Sequence, residues 1–164
     1  MAEKLLELND LEVRYVLRSS VVEAVNGISL HIDKGESVGL VGETGAGKTT
    51  TALSIMGLVP NPPGKVTKGE IFFNGEDLLK KDEKFMRTIR GENISMIFQD
   101  PMTSLNPLMT VGDQIKEVIL LHNKLNSEEA LKRTKDMLEL VGIPGERYNE
   151  DAHQFSGGMK QRVL

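Results

Sequence analysis

Alternating apolar and polar residues in the first third of the chain predict β-strands. Leu11–Tyr15 and Ala24–Ile32 show this alternation, and in the second segment Ser29 and His31 occupy the polar face. The opposite face of that segment is formed by Ile28, Leu30 and Ile32. A further strand is predicted at Glu70–Phe73, where a tight-turn sequence follows.

Two short apolar runs lack this alternation and predict strands that are buried on both faces. They are Ser37–Val41 and Ile94–Phe98. The first leads directly into a glycine-rich loop, and the second is followed by Gln99. Each run therefore comes directly before candidate functional residues.

Helical periodicity and end signals predict four helices. They cover Lys48 to about Gly57, Asp82–Arg90, Val111–Leu121 and Ser127–Val141. Ser127 with two glutamates marks the start of the last helix, and Gly142 marks its end. Strands therefore dominate the early part of the chain and helices the late part.

The composition is that of an ordinary globular domain. The 164 residues are 39% hydrophobic and 27% charged, with a net charge of −4, so broad attraction to nucleic acid is not expected. No uncharged apolar run approaches the roughly 18 residues of a membrane span, and we expect a cytosolic chain. The sequence contains no cysteine, which excludes disulfides and thiolate metal sites in this stretch.

The glycine-rich loop after the first apolar run is the strongest chemical signal. GETGAGKT fits the pattern G-x-x-x-x-G-K-[ST] between a predicted strand and a predicted helix, which indicates a phosphate-binding P-loop. Its backbone N–H groups and helix N-terminus favour anions, Lys48 would bridge the β- and γ-phosphates, and the Thr49 hydroxyl would bind Mg²⁺. The nucleotide-binding residues are predicted to be Gly42, Glu43, Thr44, Gly45, Ala46, Gly47, Lys48, Thr49 and Thr50.

A P-loop alone does not choose among GTPases, kinases, motors and transport ATPases. Guanine recognition uses an Asn-Lys-x-Asp element, and the nearest string here, Asn123–Asn126, ends in asparagine. This difference argues against a GTPase and leaves the other classes open.

Three separated motifs resemble the nucleotide-binding domain of ATP-binding cassette transporters. They are the P-loop, Gln99 after an apolar run, and the Phe155–Met159 sequence FSGGM. The stretches Met96–Ile115 and His153–Val163 further resemble the oligopeptide and dipeptide importers of bacteria. The resemblance implies an α/β P-loop fold with an N-terminal antiparallel β subdomain, a helical subdomain and a truncated catalytic sheet. The implied boundaries are about 1–99, 100–155 and 156–164.

The resemblance also implies roles for single residues. Tyr15 would stack on the adenine of ATP, and Gln99 would reach Mg²⁺ or the attacking water, so that Gln99 and Lys48 serve catalysis and Gln99 and Thr49 serve the metal. The signature residues Ser156, Gly157 and Gly158 would bind the γ-phosphate of a nucleotide held by a second subunit. Met159 departs from the glutamine that is usual in the wider family, which puts a side-chain contact there in doubt.

Two functional hypotheses follow. In the first, the chain is the ATPase subunit of an importer at the cytoplasmic face of a bacterial or archaeal membrane, where ATP and Mg²⁺ drive uptake of peptides or, alternatively, nickel. Its expected partners are a second ATPase subunit, two transmembrane permeases and, indirectly, an extracytoplasmic binding protein, without nucleic acid. A soluble cassette ATPase is disfavoured because the permease-facing sequence SLNPLMT is present.

In the second hypothesis the chain is a nucleotide-binding or interaction module that does not hydrolyse ATP. The family's acidic residues for the metal and the attacking water follow the signature helix, beyond Leu164. We therefore expect an N-terminal fragment of a longer ATPase. We also expect no steady-state hydrolysis by these 164 residues and uncovered apolar edges at the two runs of residues 37–41 and 94–98.

Overall fold

The computed structural model describes residues 3–98 and 104–164, which form two compact units. The first unit ends at Arg90 and the second begins at Gly91. The first contains an antiparallel sheet and two α-helices, and the second is helical. This arrangement confirms the predicted order of early strands and late helices.

The first unit is built on an antiparallel sheet in which the strand order is β2-β1-β3-β4. The strands are β1 (Lys4–Val16), β2 (Val21–Asp33), β3 (Gly64–Phe73) and β4 (Glu76–Asp77). Leu8 on β1 lies opposite Leu30 on β2 and Ile71 on β3. Leu8 and Ile71 are fully buried, whereas Ser29 and His31 are exposed, so the predicted faces are confirmed. The buried apolar residues therefore lie on one face of the sheet, and the exposed polar residues lie on the other.

Two α-helices accompany this sheet in the first unit, α1 (Lys48–Ile55) and α2 (Glu83–Ile89). A short 3-10 turn, Leu78–Lys80, precedes α2. Helix α1 ends in a Schellman motif, in which the N–H of Leu58 bonds to Leu53 at 2.8 Å and Gly57 adopts a φ of 62°. The predicted end near Gly57 is therefore confirmed.

The two apolar runs predicted as buried strands do not form strands, so that prediction is wrong. Neither Ser37–Val41 nor Ile94–Phe98 belongs to a strand, and Val41 is 90% and Ile97 75% exposed. A buried strand needs partners for its backbone N–H and C=O groups. Within residues 3–98 and 104–164, no strand of the sheet pairs with either run. The expectation that both runs are uncovered is confirmed.

The second unit packs three helices around a small apolar core. They are α3 (Val111–His122), α4 (Ser127–Leu140) and α5 (Gly157–Val163), with 3-10 turns at Gly145–Asn149 and Ala152–Gln154. The core consists of Leu105, Val111, Leu138, Ile143, Ala152 and Phe155. Among the residues that are described, no helix has both the length and the apolar character to cross a membrane.

Both predicted ends of α4 are confirmed. Asn126 accepts hydrogen bonds from the N–H groups of Glu128 and Glu129, while the Glu129 carboxylate accepts one from the N–H of Asn126. This reciprocal arrangement is a capping box. At the other end Gly142 has a φ of 71°, and the N–H of Ile143 bonds to Leu138 at 2.9 Å.

Candidate functional site

Gly47 allows the end of the P-loop to pack closely against the sheet. Gly47 has a φ of 83°, and a Cβ built on it would lie 2.2 Å from the carbonyl oxygen of Ala24 on β2. A side chain at this position would collide with backbone and would also strain the left-handed conformation. The N–H and hydroxyl of Thr51 both donate to the Gly47 carbonyl, at 2.8 and 3.0 Å. The first turn of α1 therefore lies close against β2 at Gly47 and is closed by these two bonds.

The side chain of Lys48 folds back over the loop that it ends. Its Nζ donates to the carbonyl oxygens of Gly42 at 2.6 Å and Glu43 at 2.7 Å. Residues 42–46 between these contacts and α1 are exposed. The ammonium group is therefore held at an open loop, where anionic phosphate oxygens would be stronger acceptors than the two carbonyls.

Helix α1 differs from the other described α-helices at its N-terminus. The others begin with side-chain caps, which are Asp82, Thr110, Asn126 and Ser156. The N-cap of α1 is Gly47, which has no side chain to accept a hydrogen bond. Its first N–H groups therefore lack the usual partner, and an anion can satisfy them while interacting favourably with the helix dipole.

Thr49 lies in the first turn of α1 with an exposed side chain. Thr51 and Ser54 instead donate their hydroxyls to carbonyls of their own turn and are buried. Of the four hydroxyl residues of α1, Thr51 and Ser54 thus have a structural role, whereas the side chain of Thr49 is open to solvent. Within residues 3–98 and 104–164, no group of three or more His, Asp or Glu side chains is arranged to hold a metal ion.

Tyr15 lies on β1 on the same stretch of sheet as the P-loop contact. It pairs with Val22, two residues before Ala24, so it stands about 7 Å along the strand from the Gly47 contact. Its ring edge packs on the backbone of Gly64, where an added Cβ would be 2.8 Å away. The side chain is half-buried, so part of its surface remains accessible.

The signature sequence begins α5 in the second unit. Ser156 is the N-cap, and its hydroxyl accepts from the N–H of Met159 at 3.4 Å. Gly157 and Gly158 are exposed, and a Cβ on either would meet nothing within 4 Å. Packing within the unit therefore gives no reason for either glycine.

Gln99 lies outside the described residues.

Arg147 supports the signature turn and was not predicted from the sequence. Its guanidinium lies 4.8 Å from the centre of the Phe155 ring and donates to the Met159 sulfur at 3.3 Å. Two further bonds go to one carboxylate oxygen of Glu150, and they lower the pKa of that carboxyl below its usual value. The sulfur of Met159 thus has a polar partner in its own unit. The only sequence signal was the i,i+3 spacing of Arg147 and Glu150.

The glycine-rich loop before α1, the helix N-terminus without a side-chain cap and the lysine over the loop together form the features of a P-loop. The model of the ABC transporter family matches residues 25–164, and the chain belongs to that family. The dimeric cassette MJ0796, solved in a post-hydrolysis state bound to ADP and Pi, has a similar fold, with a TM-score of 0.83 and 26% identity. That match covers 96% of this chain and 66% of the cassette.

Two curated relatives come from Bacillus subtilis strain 168. The oligopeptide transport ATP-binding protein OppD is 51% identical over 98% of this chain and 46% of its own length. The dipeptide transport ATP-binding protein DppD is also 51% identical, over 99% of this chain and 49% of its own length. The chain therefore spans about half the length of these relatives.

Proposed function

We propose that the chain is the nucleotide-binding part of an ATPase subunit that powers import of peptides. The observation that carries the proposal is the uncapped N-terminus of α1 with the Lys48 ammonium held over the loop that precedes it. ATP would place its phosphates there, with Lys48 moving from the two carbonyls to the β- and γ-phosphate oxygens.

Tyr15 is the proposed platform for the adenine ring. Its position on β1, about 7 Å along the strand from the P-loop contact at Ala24, supports a single nucleotide reaching both features. The ring already packs on Gly64, so stacking would use its remaining accessible surface.

Mg²⁺ is the proposed metal, with the Thr49 hydroxyl and phosphate oxygens as ligands. The exposed side chain of Thr49 supports this role, since Mg²⁺ prefers hard oxygen ligands and retains several waters. The bound ion would neutralise charge on the β- and γ-phosphates. Gln99 is proposed as the second residue beside the metal and the attacking water.

A second ATPase subunit is the proposed partner of the signature turn. Gly157 and Gly158 leave their N–H groups open without any packing reason, which supports close approach by a phosphate held on another molecule. The dimeric cassette to which this chain is similar in fold supports pairing. Arg147 engages the Met159 side chain, which leaves backbone donors and Ser156 as the proposed contacts.

Peptides are the proposed cargo because OppD and DppD are named for oligopeptide and dipeptide transport. Nickel is the alternative cargo. The proposed setting is the cytoplasmic face of the cell membrane, where ATP binding and hydrolysis by two such subunits would drive two permeases, and a separate binding protein would deliver the substrate.

The test measures MgATP binding by titration calorimetry. Lys48→Ala should weaken binding by about 10-fold or more, because a charge-assisted contact to phosphate is lost. Lys84→Ala removes an exposed lysine of α2 in the same unit and is the matched control, with affinity unchanged. Equal affinities for Lys48→Ala and the unchanged protein would contradict the proposed site.

A further inference from the structure

Arg90 binds the end of α1 that lies opposite the phosphate loop. Its Nε donates to the carbonyl oxygen of Met56 at 2.8 Å, and its Nη2 donates to that of Gly57 at 3.3 Å. The remaining branch, Nη1, donates to Glu83 at 2.7 Å. All three branches of one guanidinium are therefore engaged, and the side chain is only 19% exposed.

These bonds extend the hydrogen bonding of the helix end beyond its last turn. A helix C-terminus leaves four carbonyls without intrahelical partners. The Schellman motif satisfies those of Leu53 and Ser54, at 2.8 and 3.1 Å, and Arg90 binds the carbonyls of the C-cap residue Met56 and of Gly57, which follows it. The guanidinium also places positive charge at the negative end of the helix dipole.

The surroundings limit the freedom of this contact. Met56 and Met86 are buried, and a Cβ on Gly57 would be 3.1 Å from the Arg90 Nη2 atom. The hydrogen bond from Arg90 lowers the pKa of Glu83, so its carboxylate stays ionised and holds the third branch. A planar guanidinium with all three nitrogens hydrogen-bonded has a fixed orientation relative to its partners. A flexible ammonium group would not have one.

Helix α1 has eight residues and is about 12 Å long, so its two ends are close enough to move as one body. At the first end Gly47 packs closely against Ala24, and at the last end Arg90 donates hydrogen bonds to the helix. Between them the helix carries Lys48 and Thr49. A rotation or slide permitted at the last turn would displace both side chains and the N–H groups of the first turn.

We propose that Arg90 is a positioning residue for nucleotide binding, which holds α1 so that the phosphate loop keeps its binding geometry. This inference rests on the proposed function, because it assumes that the loop binds MgATP. Arg90 itself touches no phosphate, and its effect passes through the carbonyls of Met56 and Gly57.

The experiment compares MgATP affinity in the full chain for the unchanged protein, Arg90→Ala, Arg90→Lys and Arg87→Ala. Calorimetry is done well below each melting temperature, so that all of the protein is folded. Arg87 lies on the same helix with its side chain 79% exposed, and its removal is the matched control. The dissociation constant should rise about 10-fold for Arg90→Ala, less for Arg90→Lys, and stay unchanged for Arg87→Ala.

A second readout separates positioning from a purely stabilising role. The amide resonances of residues 47–49 should shift in Arg90→Ala without nucleotide, and unchanged resonances with unchanged affinity would overturn the inference. If Arg90→Ala does not fold, Glu83→Gln decides in its place, with about a 2-fold weaker affinity expected and an unchanged one overturning the inference. Failure of the unchanged protein to bind MgATP would instead refute the proposed function.

Discussion

Two glycines, at positions 47 and 158, differ in whether the fold of the chain explains them. Gly47 has a left-handed backbone and touches the Ala24 carbonyl, so the fold of the chain itself requires it. Gly158 is helical and exposed, with open space where a Cβ would be. Glycine in a helix is less favourable than alanine by up to about 1 kcal/mol. The fold of the second unit therefore gains nothing from Gly158.

Gly158→Ala should leave the chain as stable as before, or more stable by up to about 1 kcal/mol. At the same time it should weaken ATP-dependent pairing with a second subunit, because a methyl group would occupy the space proposed for the approaching nucleotide. Thermal unfolding measures the first effect, and analytical ultracentrifugation with MgATP measures the second.

Gly47→Ala is the comparison for that experiment. It should lower stability by more than about 1 kcal/mol, because alanine is strained at positive φ and would clash with the Ala24 carbonyl. A loss of stability in Gly158→Ala as large as this would show that Gly158 serves the fold rather than a partner.

At the scale of elements, the capping box of α4 should contribute measurably to stability. Asn126→Ala removes the acceptor for the N–H groups of Glu128 and Glu129 and should cost about 1 kcal/mol. Chemical denaturation followed by circular dichroism measures the change in the free energy of unfolding. Glu129→Gln is the control, since glutamine at this position still accepts from the Asn126 N–H. Equal losses in both variants would argue against the cap as the cause.

Helices α1 and α4 end in the same way, and this shows what local sequence can predict. Gly142 was recognisable as a helix end because glycine readily adopts the left-handed conformation, and the end near Gly57 was predicted from the proline-rich stretch 60–64 that follows it. The arginines that donate hydrogen bonds to these helix ends were not recognisable from the sequence. Arg90 bonds to Met56 across 34 residues, and Arg162 bonds to Val141 across 21 residues at 2.7 Å. Local periodicity carries no information about such distant partners.

The candidate functional site divides in the same way, into residues that local sequence predicts and residues that it does not. The residues of the P-loop were predicted because their chemistry depends on glycine and on short spacings, and the role of the signature was predicted from the resemblance to a known family. The supporting arginines were missed, since a surface arginine and a positioning arginine have the same local sequence. The two apolar runs were misassigned for a related reason, because an apolar run predicts burial but cannot supply the strand that would cover it.

At the scale of the whole molecule, each unit carries an apolar segment that nothing described covers. In the first unit Val38, Leu40 and Val41 are 48%, 44% and 90% exposed, and in the second Ile97 and Phe98 are 75% and 46% exposed. Contiguous exposed apolar residues bind hydrophobic dyes and promote association. These segments should therefore contribute to dye binding and association by the purified chain.

Val41→Lys and Ile97→Lys together should reduce the fluorescence of a bound hydrophobic dye and slow aggregation. The free energy of unfolding should change by no more than about 0.5 kcal/mol, because both side chains are already largely in water. Leu108→Lys is the matched control, since Leu108 is 92% exposed but lies outside both runs. If the double variant lost stability while the control did not, the two side chains would be packed in solution and the exposed surface described for 37–41 and 94–98 would be wrong.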